Sequence, residues 1–166
     1  MELKGRAWKF GADVDTDAII PSVYLSMTDP VKLGQHCMEG LDNEFSRKVK
    51  PGDIVVAEKN FGCGSSREHA VIALKGCGIS LVIGENFARI FYRNAFNLGI
   101  PLLECPEAAR SIVTGDELEV ELSTGRVRNL TRSQEYHALP IPEFMQGLIR
   151  DGGLMPSIIR RLKKQA

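Results

Sequence analysis

Asn60-Phe-Gly-Cys-Gly-Ser-Ser-Arg-Glu-His69 is the stretch around which the rest of this sequence is organised. It follows the apolar run Asp53–Glu58, which is typical of a buried strand, and it precedes Ala70–Leu74, whose apolar spacing is typical of a helix. Further runs of strand and helix character alternate along the chain beyond it. Strands and helices in this order predict an α/β fold with a parallel layer of strands.

The glycine-serine turn, residues 62–67, has the composition of a site for a small acid. Gly62 and Gly64 permit backbone angles that are closed to other residues, so the backbone can approach a ligand closely. The start of the following helix offers free N–H groups and the positive end of its dipole to an anion. Arg67 adds a planar cationic side chain that matches a carboxylate or a phosphate. We therefore expect the two serine hydroxyls and Arg67 to bind a small acid.

An ordinary structural explanation of the same turn stands beside this one. Ser65 followed by Glu68 fits the S-x-x-E capping box, which starts a helix without any ligand. Known templates for nucleophiles and phosphates do not apply, because G-x-S-x-G would need glycine at position 67 and the chain lacks the G-x-x-x-x-G-K-[ST] of a P-loop. Cys63 is a weaker candidate nucleophile than the hydroxyls, since only Arg67 is assured as a cationic neighbour.

Length and composition predict one globular domain spanning residues 1–166. The chain has 166 residues, of which 43% are hydrophobic, enough for a core. Lys and Arg together number 21, as do Asp and Glu, so there is no overall basic field of the kind that drives binding to nucleic acid or anionic membranes. No apolar signal-peptide region and no membrane-length apolar run is present. We expect a cytosolic protein that binds small molecules or another protein.

Neither the cysteines nor the aspartates form a metal-binding motif. The four cysteines, at positions 37, 63, 77 and 105, make no C-x-x-C pair, so free thiols are expected rather than a zinc ribbon or a local iron–sulfur motif. Asp13, Asp15 and Asp17 resemble the start of a calcium loop, but Ala18 and Tyr24 stand where such a loop needs glycine and glutamate. We expect no metal site and expect the aspartates to cap their own backbone.

Apolar spacing and turn residues place the remaining elements. Residues 19–30 predict a long loop, and a hairpin is predicted from Leu118–Leu122 and Arg126–Leu130 through Gly125. The other predicted strands are 5–10, 53–58, 79–83, 100–104 and an extended piece at 136–141. The predicted helices are 31–45, 70–74 with its end at the glycines of residues 76–78, 86–98, 106–113 and two after residue 142.

Three segments together carry a resemblance to a known family. They are Asp15-Thr-Asp-Ala-Ile-Ile-Pro21, the stretch 60–69, and Phe91-Tyr-Arg-Asn-Ala-Phe-Asn-Leu-Gly-Ile-Pro101. Together they resemble the small subunits of isopropylmalate isomerases and their homoaconitase relatives, over essentially the whole chain and in the right order. The G-S-S-R-E-H core is specific to the aconitase superfamily. There this unit is the swivelling domain, so the resemblance implies a β/β/α fold with a mixed sheet and flanking helices.

The resemblance also implies an activity, that of a hydro-lyase in leucine biosynthesis. In this family a dicarboxylic hydroxy acid is dehydrated to an alkene diacid and rehydrated on the neighbouring carbon. A four-iron four-sulfur cluster, carried by a large partner subunit and not by this chain, acts as Lewis acid on the departing hydroxyl. Ser65 stands at the position of the general base, while Ser66 and Arg67, with Gly64, stand in the substrate-binding turn.

The resemblance places a specificity segment at Tyr24-Leu-Ser-Met27. Homoaconitase-like members resemble Y-L-R-T there, with an arginine that would meet an extra carboxylate. Because Ser26 replaces that arginine, a third carboxylate would lie unpaired, whereas Leu25 and Met27 could pack on an isopropyl group. We therefore favour 2-isopropylmalate over homocitrate, and citramalate-type acids stay open because a missing methyl changes apolar binding by only ~1–3 kcal/mol.

Two other classes of function stay open on the sequence alone. One is a stand-alone domain that uses the glycine-serine turn to hold a carboxylate without chemistry. The other, weaker one is a serine hydrolase, for which no histidine has an evident acidic partner. The histidines are His36, His69 and His137.

Overall fold

A seven-stranded mixed sheet runs through this protein in a computed structural model that describes residues 1–166. Its strands are β1 (Glu2–Lys9), β2 (Ile54–Ala57), β3 (Leu81–Gly84), β4 (Leu102–Glu104), β5 (Glu117–Glu121), β6 (Arg126–Asn129) and β7 (Gln134–His137). Their order across the sheet is β4-β3-β2-β1-β5-β6-β7.

Eight α-helices accompany the sheet. They are α1 (Thr16–Ile19), α2 (Pro30–Gly34), α3 (Phe45–Lys48), α4 (Glu68–Gly76), α5 (Arg89–Asn97), α6 (Pro106–Ser111), α7 (Glu143–Asp151) and α8 (Leu154–Gln165). A short 3₁₀ turn, Ser22–Tyr24, lies in the long loop after α1. None of these helices combines the length and the apolar character that a membrane crossing requires.

Strands β1 to β4 form a parallel half of the sheet. All residues of β2 and β3 are buried, which explains why both strands are continuously apolar in the sequence. Helix α4 connects β2 to β3, and α5 connects β3 to β4. The turns that leave β2 and β3 therefore emerge at the same edge of the sheet, because parallel strands end on the same side.

Strands β5, β6 and β7 form an antiparallel half, joined to the parallel half where β5 pairs with β1. Strands β5 and β6 alternate buried and more exposed residues, so they cover the core on one face only, whereas β7 at the edge of the sheet has no buried residue. Gly125 at the β5–β6 turn has φ +77, and a Cβ there would lie 2.0 Å from the carbonyl oxygen of Ala138. The predicted hairpin and its glycine turn are confirmed.

The mixed sheet with flanking helices is confirmed, but the helix predicted over residues 31–45 is wrong. Helix α2 ends at Gly34, and α3 begins only at Phe45. Met38 has φ +61, outside the helical region, and its N–H donates to the carbonyl oxygen of Ile19 at 2.7 Å. A tertiary contact with α1 thus replaces the helical hydrogen bond that the apolar spacing alone predicts.

Candidate active site

The glycine-serine turn leaves the carboxyl end of β2 and leads into α4. Gly62 has φ +83, and a Cβ there would lie 2.2 Å from Cγ of Phe91. Gly64 has φ +89, a region that other residues rarely adopt. Glycine is therefore required at position 62 by both backbone angle and space, and at position 64 by backbone angle.

The aspartate segment, residues 13–17, runs beside the glycine-serine turn. The N–H of Gly62 donates to the carbonyl oxygen of Val14 at 2.8 Å, and the N–H of Thr16 donates to that of Cys63 at 2.9 Å. The hydroxyl of Thr16, a residue only 2% exposed, donates to the carbonyl oxygen of Ser65 at 2.9 Å. These hydrogen bonds fix the backbone at Ser65 from a segment far away in sequence.

The aspartates of this segment bind backbone and side chains of the protein itself. Asp15 caps α1, since its Oδ1 accepts from the N–H of Ala18 at 2.7 Å, as the sequence predicts. Asp13 Oδ1 accepts from Nδ2 of Asn60 at 3.1 Å. Both carboxylates are thus occupied by protein groups.

Arg67 is held by Asp17. Its Nη1 donates to Oδ1 of Asp17 at 2.9 Å and to the carbonyl oxygen of Ile20 at 3.5 Å, and its side chain is 19% exposed. The hydrogen bond from Arg67, together with that from the N–H of Ser22, holds the pKa of Asp17 below its ordinary value. Asp17 therefore joins the glycine-serine turn to the loop that contains the predicted specificity segment.

The hydroxyls of Ser65 and Ser66 are exposed and make no hydrogen bond within the protein. Helix α4 begins at Glu68 with Arg67 as its N-cap, and no side chain caps it. The capping-box explanation of the turn is therefore wrong, because Ser65 lies outside the helix start that it would have to cap. Both hydroxyls are free to bind a ligand.

A cavity of about 190 Å³ opens at these hydroxyls between the glycine-serine turn and the start of α5. No acidic side chain lines it. Its lining residues are Thr16, Gly62, Gly64, Ser65, Ser66, Arg67, Ala88, Arg89, Ile90, Phe91 and Asn94. The structure thus brings together the predicted base Ser65 and the predicted carboxylate-binding residues Ser66, Arg67 and Gly64.

The sequence leaves open whether α5 contributes to the site. Arg89, Arg93 and Asn94 stand near three aromatic residues and could line a site, but an ordinary helix surface explains them equally well. In the structure Arg89 and Asn94 line the cavity and Arg93 does not. The structure places the helix start here because the N–H of Ala88 donates to the carbonyl oxygen of Phe61 at 3.0 Å and the ring of Phe91 fills the space beside Gly62. Phe61 and Gly62 form one side of this contact, and Ala88 and Phe91 at the start of α5 form the other.

Cys63 is a poor nucleophile in this setting. Burial, with the negative charges of Asp15 and Asp13 adding to it, raises the pKa of the Cys63 thiol above its ordinary value. A thiol with a raised pKa holds less of the reactive thiolate at neutral pH. The lower rank that the sequence gives Cys63 relative to the hydroxyls agrees with this environment.

The predicted specificity segment does not line the cavity. The ring of Tyr24 stacks on that of His36 with centroids 3.8 Å apart, and its hydroxyl donates to Oε1 of Glu39 at 2.8 Å. Met27 packs against the core, and Ser26 is exposed. Its connection to the glycine-serine turn is indirect: Asp17 accepts hydrogen bonds both from the N–H of Ser22, at the start of this loop, and from Arg67.

Two histidines do have acidic partners, contrary to the prediction. His36 Nδ1 lies 2.7 Å from Oε2 of Glu39, and His137 Nε2 lies 3.1 Å from Oε1 of Glu135. Neither histidine lines the cavity at Ser65. No serine-histidine-acid arrangement of a hydrolase is therefore formed at this serine.

The cysteines do not surround a common point. Burial, with the neighbouring Cys77 thiol adding to it, raises the pKa of Cys37 well above its ordinary value. No group of three or more His, Cys, Asp and Glu side chains is placed to hold a metal ion. A four-iron four-sulfur cluster is held by several thiolates at once, so the residues of this chain do not fit one.

Comparisons with known proteins agree with this geometry. The family model of the aconitase C-terminal domain matches residues 20–108. A 3-isopropylmalate dehydratase small subunit from Caldicellulosiruptor saccharolyticus is 55% identical over 166 residues, covering 100% of this chain and 96% of the relative. An isopropylmalate/citramalate isomerase small subunit from Methanocaldococcus jannaschii is 56% identical over 160 residues, covering 96% and 95%.

The fold agrees as well. The crystal structure of a 3-isopropylmalate dehydratase from Methanocaldococcus jannaschii matches with a TM-score of 0.93 at 46% identity, covering 99% of this chain and 98% of that one. The resemblance inferred from the three sequence segments and the aconitase-like fold are both confirmed. The chain therefore belongs to the 3-isopropylmalate dehydratase small subunits, a family of the aconitase C-terminal domain.

Proposed function

We propose that this chain is the small subunit of a hydro-lyase that interconverts 2-isopropylmalate and 3-isopropylmalate by dehydration and rehydration. The observation that supports it is one cavity without acidic side chains, in which the free hydroxyls of Ser65 and Ser66 lie with Arg67, in a chain of this family. A dicarboxylate is the kind of substrate that such a cavity favours, since cations and hydroxyls bind carboxylate oxygens.

Ser65 is the proposed general base. Its alkoxide oxygen takes the proton from the carbon beside the one that loses the hydroxyl. In rehydration water adds to the carbon that lost this proton, and the proton goes to the carbon that lost the hydroxyl. A serine hydroxyl is a very weak acid in water, so its alkoxide needs stabilisation by nearby donors and cations. Arg67 and the first-turn N–H groups of α4 provide these at the glycine-serine turn.

Ser66 and Arg67 are the proposed carboxylate-binding residues. Because Asp17 engages Nη1 of Arg67, the rest of the guanidinium is free to donate to a substrate carboxylate in a fixed orientation. The backbone at Gly64, which has no side chain and lies at the exposed end of the turn, lets the substrate approach the hydroxyls closely.

The remaining chemistry is proposed to come from a large partner subunit. When bound there, a four-iron four-sulfur cluster supplies a Lewis acid for the departing hydroxyl. A base on this chain and a Lewis acid on another can act on adjacent carbons only within a shared cleft. We therefore place the subunit interface around the cavity at Ser65 and the neighbouring loop that Asp17 holds.

The substrate is proposed to be 2-isopropylmalate. The chain has Ser26 in place of the arginine that a third carboxylate would need, and the Caldicellulosiruptor saccharolyticus relative is named for 3-isopropylmalate. The Methanocaldococcus jannaschii relative is named for citramalate as well as isopropylmalate. Citramalate is therefore the first alternative substrate to compare.

Reconstitution tests the proposal. The chain is coexpressed with a candidate large subunit, purified without oxygen and assayed with isopropylmalate, citramalate and homocitrate. We expect the chain alone to be colourless and inactive, and the complex to be brown and most active on isopropylmalate. Preference for homocitrate would reassign the substrate, and a stable complex that hydrates no alkene diacid would support a carboxylate-binding domain without chemistry.

A further inference from the structure

Arg89 is the cation of the Ser65 cavity whose charge no acidic residue balances. Two arginines line this cavity, and Arg67 is paired with Asp17 at 2.9 Å. Arg89 makes no salt bridge. It also borders a second groove, on the side of β4, that contains two acidic residues: Glu85, which is paired with Arg110, and Glu104, which forms no salt bridge with Arg89. The net positive charge of the cavity therefore resides on Arg89.

The position of Arg89 in its helix opposes the stability of that helix. It is the first residue of α5, at the positive end of the helix dipole, and the first turn of α5 contains no acidic residue. A cation at this end is unfavourable. By contrast, α4 and α7 each begin with an acidic residue, Glu68 and Glu143. A bound anion beside Arg89 would offset this unfavourable interaction with the helix dipole, which explains why an unpaired arginine stands at the start of α5.

The backbone of Arg89 is held firmly beside the glycine-serine turn. Besides the hydrogen bond from Ala88 to Phe61, the rings of Phe61 and Phe91 meet edge to face with centroids 5.3 Å apart. The ring of Phe91 also lies against Gly62, where a Cβ could not fit. Contacts on both sides of Arg89 thus fix the helix start at the edge of the cavity.

We propose that Arg89 binds a carboxylate of the diacid substrate, the one that Arg67 and Ser66 do not hold. This inference rests on the proposed function and extends it to a second cation on a different element of this chain. A malate-type diacid carries two negative charges, and Arg67 and Arg89 border the same 190 Å³ cavity. Two guanidinium groups match the two carboxylates in number and in charge-assisted hydrogen bonding.

The test compares Arg89→Gln and Arg89→Lys with Arg93→Gln in the reconstituted enzyme. Arg93 is a matched control because it lies one turn later on α5, is exposed, makes no salt bridge and does not line the cavity. We expect Arg89→Gln to raise KM for the diacid ~10- to 100-fold, as for loss of a charge-assisted hydrogen bond. Arg89→Lys restores part of the affinity, and Arg93→Gln leaves KM within about twofold of the wild type.

Inhibitors separate carboxylate binding from a structural role. Succinate and butyrate have the same chain length but two and one carboxylates, so the ratio of their inhibition constants measures the second carboxylate. We expect Arg89→Gln to reduce the preference for succinate about tenfold, whereas the melting temperature should not fall, because the removed charge is unfavourable at the start of α5. If the wild-type complex is active and Arg89→Gln has the same ratio of inhibition constants as the wild type, the role of Arg89 is overturned and the proposed function is not. An inactive wild-type complex would overturn the proposed function and this inference with it.

Discussion

Polar side chains beside the two halves of the sheet differ in whether they have partners within the protein. In the antiparallel half polar groups satisfy one another, as Asp116 does with Asn129 and Arg132. At the edge of the parallel half, the hydroxyl of Ser65 and the guanidinium of Arg89 have no such partners. The unpartnered groups of the parallel half line one cavity, the proposed substrate site, whereas the mutually paired groups around Asp116 hold the antiparallel half together.

The largest expected effect is on the parallel half, from Ser65→Ala. Ser65 is the proposed general base, and loss of general-base help costs ~10²–10⁴-fold in rate, so kcat of the reconstituted enzyme should fall by that factor. The melting temperature should hardly change, because the Ser65 hydroxyl bonds to nothing in the protein. Steady-state kinetics with thermal unfolding of the same samples checks both.

Ser123→Ala is the matched control from the antiparallel half. The hydroxyl of Ser123 donates to Oε1 of Glu121 at 2.6 Å, so it belongs to the internally paired groups. We expect kcat to remain unchanged. Near-normal turnover of Ser65→Ala, or an equal loss in both variants, would contradict the contrast between the halves.

The next effect compares one glycine from each half. Gly62→Ala and Gly125→Ala both introduce a Cβ at positive φ, 2.2 Å from Phe91 and 2.0 Å from Ala138. Each should lower the free energy of unfolding by about 2–4 kcal/mol. Only Gly62→Ala should also reduce activity at temperatures where both variants are folded, because only Gly62 contacts the helix start that lines the cavity. Chemical denaturation and kinetics at 20 °C or below would show the difference.

A smaller effect is expected from Asp116→Ala, on stability alone. Burial opposes ionisation of Asp116, but hydrogen bonds from Val113 N–H, Asn129 and Arg132 outweigh it and hold the pKa of Asp116 below its ordinary value. Losing these charge-assisted bonds should cost about 1.5–3 kcal/mol of unfolding free energy. KM and kcat of the folded variant should match the wild type, and a kinetic defect would count against a purely structural antiparallel half.

The lowered pKa of Asp116 predicts that the free energy of unfolding depends on pH. Because its native pKa is lowered, its contribution to stability is complete above the unfolded value of ~3.9 and is lost as the pH falls through the native value. The wild type should therefore lose more stability than Asp116→Asn between about pH 5 and pH 2. Denaturant unfolding at a series of pH values measures this, and parallel curves for the two proteins would refute it.

The smallest expected effect is from Asp17→Asn in the parallel half. Arg67 keeps its charge but loses the carboxylate that orients it, so kcat/KM should fall ~10- to 10²-fold, the range expected for a displaced binding group. The melting temperature should change little, because the carboxylate of Asp17 is exposed. Asp29→Asn, which alters the N-cap of α2 away from the cavity, is the control and should leave kcat/KM unchanged.

The sequence predicts the elements of both halves wherever local pattern and packing agree. β2, α4 and the β5–β6 hairpin follow from apolar runs, a glycine stop and alternation. The helix predicted over residues 31–45 fails because Met38 bonds to Ile19, a contact between segments that no local pattern reveals. Tertiary contacts of this kind override helix spacing.

The site is predictable only as far as it is contiguous. The turn from Gly62 to Arg67 is predicted from its glycines, serines and arginine, which are contiguous in the sequence. The family resemblance implies a role for Gly64, Ser65, Ser66 and Arg67. Arg89 joins the cavity only when β3 and β2 lie side by side and Ala88 bonds to Phe61. The inward stacking of Tyr24 on His36 also depends on three-dimensional packing.

The hydrogen bond from the hydroxyl of Thr16 to the carbonyl oxygen of Ser65 joins residues 49 positions apart. A contact of high sequence separation closes a long loop, and the entropy cost of that closure must be offset by the rest of the fold. The geometry of the backbone at Ser65 therefore depends on the pairing of β1 with β2, the strands that precede Thr16 and Ser65. For the same reason, a synthetic peptide copying the glycine-serine turn would not reproduce the site, and a transplant into another scaffold must include the aspartate segment.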